Sequence, residues 1–140
     1  MAMDRTGEDR AAFWRELAAA APDLGLAPGP GQEREVPIGG IAGLKLKLSL
    51  SQDKTSVYLV ARSPEAAGFL AANLAALGAA LMMTPGKASG EAAQGRWFRK
   101  EIKDSVALRS RWPVLAEFFL TRVARYDAAV RAVAASRPGA

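Results

Sequence analysis

Between residues 44 and 50 the chain reads Leu-Lys-Leu-Lys-Leu-Ser-Leu, so that Leu44, Leu46, Leu48 and Leu50 alternate with Lys45, Lys47 and Ser49. A period of two puts all four leucines on one face of a strand and the lysines on the other. Such a strand needs neighbours in a sheet and an apolar layer against its leucine face. The polar stretch Ser51-Gln52-Asp53-Lys54 follows, and 55–61, rich in Val and Tyr, then completes a β-hairpin. In that second strand Val57 and Leu59 alternate with Tyr58 and Val60. Both of its faces are apolar, which predicts a central place in the sheet.

The remaining elements are read outward from the hairpin. A helix is expected over 6–21: Phe13, Trp14, Leu17 and Ala18 recur at helical spacing, acids fall in the first turn, and Pro22 ends it. Residues 22–34 hold three prolines and three glycines by position 31 and read as a loop. Strands and hairpin occupy 36–61, beginning with a short edge strand over 36–41 that Pro37 and the Gly39-Gly40 pair interrupt. Ser63-Pro64-Glu65 has the order of cap, first-turn proline and first-turn acid that opens a helix, here over 64–83. Residues 84–95 read as a loop, 96–103 as a fourth strand, and 113–136 as a long helix with an inner stripe through Leu115, Phe118, Phe119, Val123, Tyr126, Val130 and Val133. The expected fold is α+β: a three- to four-stranded antiparallel or mixed sheet with three helices, in the order α-β-β-β-α-β-α. At 140 residues this is one domain.

The helix over 64–83 is unusual in composition. Ala66 to Met83 contains no charged residue, eight alanines and two glycines. Eighteen such residues reach the lower edge of transmembrane length, but Asn73 lies in the middle and no aromatic belt flanks the ends, so a membrane span is not expected. Two fates remain open for the alanine ridges: cover within the domain, or contact with a protein partner or a second copy. The opening residues alternate acid and base and lack the pattern of an export signal, which places the chain in the cytoplasm by expectation.

There is no histidine and no cysteine. An imidazole base, a thiolate nucleophile, the usual zinc and haem ligation and a disulfide are thereby excluded. A phosphate loop finds its nearest match in Gly86-Lys87-Ala88-Ser89-Gly90, which has the wrong spacing. Glu101-Ile102-Lys103 matches half of a divalent-metal nuclease site but has no evident second acid. No serine has an activating histidine or begins a Ser-x-x-Lys motif. No catalytic, cofactor-binding or metal-binding residue is assigned, and a binding module is expected ahead of a nuclease-like enzyme.

Charge is asymmetric: 71–140 carries eleven basic and five acidic residues, while the whole chain is net +5. The densest run holds Arg96, Arg99, Lys100, Lys103, Arg109 and Arg111 against Glu101 and Asp104, with Trp97 and Phe98 interleaved. Cations between aromatic rings are the ingredients of a surface that neutralises phosphates and stacks on bases. Arg96, Trp97, Phe98, Arg99, Lys100, Lys103, Arg109 and Arg111 are therefore the candidate contacts to DNA or RNA. The competing reading is that the aromatics are packing residues on alternate faces of a strand.

The order of landmarks also carries a resemblance. Phe13-Trp14 in the first helix, Val57-Tyr58-Leu59-Val60 after the alternating strand, Phe69-Leu70 in the middle helix, the arginine-rich strand, and Trp112-Pro113 leading to Tyr126-Asp127-Ala128 together resemble an uncharacterised family of bacterial domains. Its members are found alone or at the C-terminus of restriction-endonuclease-like proteins. The likeness spans most of residues 10–134, rests on hydrophobic landmarks, and brings no active-site residues with it. It implies an accessory domain of DNA-linked proteins.

Overall fold

The computed structural model describes residues 6–83 and 95–136. Its elements are α1 (Thr6–Ala20), β1 (Glu33–Pro37), β2 (Leu44–Leu50), β3 (Thr55–Ala61), α2 (Pro64–Leu81), β4 (Trp97–Ile102) and α3 (Trp112–Ala135), with single 3-10 turns at Pro22–Leu24 and Arg109–Arg111. The four strands form one antiparallel sheet in the order β1-β2-β3-β4. The fold is thus α+β in the order α-β-β-β-α-β-α. The loop expected over 84–95, with its Gly86-Lys87 run, lies outside the described residues apart from Gly95.

The leucine alternation of β2 sets the layering. Leu46 is registered against Val36 of β1 and Leu59 of β3, and Leu48 against Val57. All are buried, on the face the helices cover. Across that face Phe13 and Trp14 of α1 meet Phe119 of α3, with ring centroids 6.0 and 5.7 Å apart, and Phe13 meets Trp112 edge-on at 5.5 Å. The indole N–H groups are also satisfied: Trp14 donates to the Gly31 carbonyl and Trp112 to that of Val106, both at 2.8 Å. α3 also packs against α2, β2 and β3. The other face of the sheet carries the alternate residues, among them Glu33, Glu35, Lys45, Lys47, Ser56 and Tyr58.

Two local expectations need correction. β1 begins at Glu33 and ends at Pro37, earlier than the 36–41 expected. Arg34 turns to the inner side, places its guanidinium 5.0 Å above the Trp14 ring, and donates to the Ala27 and Gly29 carbonyls at 2.8 and 2.7 Å. The following Gly39 and Gly40 both have positive φ and form a turn. In β4 the expected strict alternation fails. Trp97 is registered against Leu59 and Lys100 against Val57, so Phe98 and Arg99 together face Tyr58 in a β-bulge.

Candidate functional site

The basic run does not gather into one patch. Arg96 precedes β4 at the end of the sheet where β3 finishes, whereas Lys103 follows β4 beside the β2–β3 turn, roughly 20 Å away along an extended strand. There the Thr55 hydroxyl donates to the Asp104 carbonyl at 2.9 Å and that of Ser105 to the Gln52 carbonyl at 2.8 Å. Arg109 and Arg111 lie in the 3-10 turn that leads into α3.

Most of these cations already face a partner. Arg99 is ion-paired with Glu101, which also holds Lys103 at 3.2 Å and Lys54 at 3.9 Å. The Arg99 hydrogen bond leads the effects that hold the Glu101 carboxyl below its ordinary pKa. Arg111 forks onto Asp104 at 2.8 and 3.1 Å, and that bond depresses the Asp104 pKa. Arg109 lies 4.4 Å over the Trp112 ring and Arg96 5.5 Å over that of Tyr58. Lys100 is exposed. Phe98 is wholly buried and is withdrawn from the list of stacking residues, because the bulge rotates it into the core; Trp97 is half-buried. Among the described residues no group of three acidic side chains is placed to hold a metal ion, and Glu101 is surrounded by cations.

Arg96 and Trp97 do meet other residues. With Glu33, Lys47, Tyr58, Val60 and Arg62 they line a polar hollow of about 450 Å3 on the helix-free face of the sheet. Lys47 bridges Glu33 and Glu35 at 3.3 and 3.5 Å, and Arg62 is ion-paired with Glu35. The Arg62 hydrogen bond is the main cause of the lowered Glu35 pKa. The Tyr58 hydroxyl donates to Glu33 Oε2 at 3.3 Å, and burial raises the phenol pKa. Lys47, Tyr58 and Arg62 carry no motif, so only strand pairing reveals that they share a hollow with Arg96.

A second feature lies on the helix layer. α2 anchors itself through Ala66, Phe69, Leu70, Leu77 and Leu81. Ala71, Ala72, Ala75, Ala76, Ala79 and Ala80 are exposed, and Met82 just beyond the helix is 82 % exposed. By length and composition α2 could cross a membrane, yet only a third of it is buried in the domain. The smooth alanine ridges therefore face outward over a broad arc of the helix. Ser63 caps α2 by accepting the Ala66 N–H at 3.0 Å, as its sequence predicts, and Asn73 interrupts the helical backbone while its side-chain amide donates to the Phe69 carbonyl at 2.8 Å. No family model, no curated protein and no solved structure matches this chain.

Proposed function

We propose that this protein is an assembly module whose α2 face pairs with the same face of a second copy. The observation that carries the reading is the charge-free surface of α2 between residues 66 and 83, which no other element covers among the described residues. Contiguous apolar surface of this kind is costly to leave in water and marks interaction sites. Alanine ridges have little relief, so two such helices approach closely with few side-chain rotamers to order. A face without charge offers no pattern by which to select a partner of opposite sign, but it is complementary to itself across a two-fold axis. The nucleic-acid reading of 96–111 has weaker support, since its cations are divided between distant positions and largely engaged by Glu101, Asp104 and aromatic rings.

Sedimentation equilibrium tests the proposal. Wild-type protein at micromolar concentration is expected to have twice the chain mass, and Ala76→Arg, which places a charge at the centre of the face, the mass of one chain. Near-UV circular dichroism should be the same for both, because Ala76 is exposed. A monomeric wild type that instead floats with phospholipid vesicles would assign the face to a membrane surface and overturn the proposal.

A further inference from the structure

The hollow on the helix-free face of the sheet is a separate feature from the α2 surface. Its wall carries Lys47, Arg62 and Arg96, and the acids beside it are Glu33 and Glu35. Three cations against two carboxylates leave one positive charge before any ligand enters. Lys47 and Arg62 are held by those carboxylates, whereas no carboxylate lies within ion-pair distance of Arg96 among the described residues. The Arg96 guanidinium is instead placed over the Tyr58 ring, which serves as a platform beneath it. Tyr58 itself is 5 % exposed, although it sits on the face that no helix covers, because Arg96 and Lys47 lie over it.

We infer that this hollow recognises a phosphate group joined to a planar ring, the shared chemistry of a free nucleotide and of a nucleotide within a single strand. A guanidinium binds phosphate oxygens in a fork, and Arg62 and Lys47 can share the anion with it once their own carboxylates are partly neutralised by each other's cations. A guanidinium resting on an aromatic face still has a second face, and planar bases stack on arginine as they do on aromatic rings. Trp97, half-buried at the wall, supplies an apolar border for such a ring. The lining is mostly polar and the net charge positive, which disfavours a purely apolar ligand and a metal cation alike. Arg96 and Trp97 come from the stretch read in the sequence as a nucleic-acid contact, while Lys47, Tyr58 and Arg62 come from β2 and the end of β3.

Nuclear magnetic resonance of the whole labelled chain at low salt provides the test, with inorganic phosphate, adenosine monophosphate and an oligo-deoxyadenylate as separate probes. The arginine side-chain N–H signals of Arg96 and Arg62 and the indole N–H of Trp97 are expected to shift with phosphate at millimolar concentration. Adenosine monophosphate should bind about tenfold more tightly than phosphate, reflecting the stacked ring. Equal affinity per site for the oligonucleotide would identify a free nucleotide as the source, and tenfold tighter binding a strand. Arg96→Glu should abolish all three responses and leave the sedimentation mass unchanged, which separates this site from the α2 contact; Arg62→Ala should weaken them about tenfold. Absence of any shift with phosphate and adenosine monophosphate, or full affinity in Arg96→Glu, would overturn the inference.

Discussion

Phe98 shows how one residue decides the character of β4. Its φ of +54° is a conformation that a bulky L side chain adopts only at a cost of roughly 1–2 kcal/mol. In exchange the ring is removed from water entirely, and the Phe98 carbonyl accepts a hydrogen bond from the Tyr126 hydroxyl of α3 at 2.5 Å. This buried bond ties the bulge to the helix layer. Tyr126→Phe is expected to lower unfolding free energy by about 1–3 kcal/mol, the penalty for a buried acceptor without its donor, as read from urea denaturation. A loss too small to measure would mean that packing alone holds the bulge. Gly39 is a comparable case: its φ is +71°, its N–H donates to Asp127 at 2.7 Å, and an added Cβ would lie 2.1 Å from Val130 Cγ1.

At the level of elements, what the sequence reveals depends on whether the signal is local. The β2–β3 hairpin and the capped start of α2 are legible because alternation and the Ser63-Pro64-Glu65 order are complete within a few residues. β1 is not, since Arg34 is a charged residue on an inner face and only the carbonyls of the preceding loop and the Trp14 ring make that position tolerable. The bulge in β4 is likewise invisible, because a period of two fits Arg96 to Lys103 equally well without it, and the contacts that accompany the bulged form, with Tyr126 of α3 and Gly78 of α2, are distant in sequence. For α2 the helix is legible and its environment is not. Alanine is small and apolar, and so fits a covered ridge and an exposed one with nearly the same composition. As for the candidate site, Arg96 and Trp97 stand out by type, while Lys47, Tyr58 and Arg62 become neighbours only through strand order. The exposed Lys100, Lys103 just past the strand and the bulge have a further consequence in that they blunt the edge of β4 against unwanted strand pairing.

Across the whole molecule the ion pairs define an acid limit. Glu35, Glu101, Asp104 and Asp127 all have pKa values below their ordinary ones; in Asp127 burial acts upward but the bonds from Arg131 and the Gly39 N–H outweigh it. The unfolded chain therefore binds protons at these sites before the native protein does, so their stabilisation is present above the unfolded carboxylate values and is lost as pH falls through the folded ones. Without histidine or cysteine, the urea midpoint should be flat between about pH 5 and pH 8 and fall below about pH 4. A decline that began near neutrality would contradict this. The same lack of cysteine makes the central claim directly testable, because any disulfide in a single-cysteine variant reports contact between two copies. Under mild oxidation Ala76→Cys on the exposed arc of α2 is predicted to form a linked dimer rapidly, while Ala132→Cys on the exposed side of α3 stays monomeric. Equal, slow linkage at both positions would show that α2 does not pair with itself.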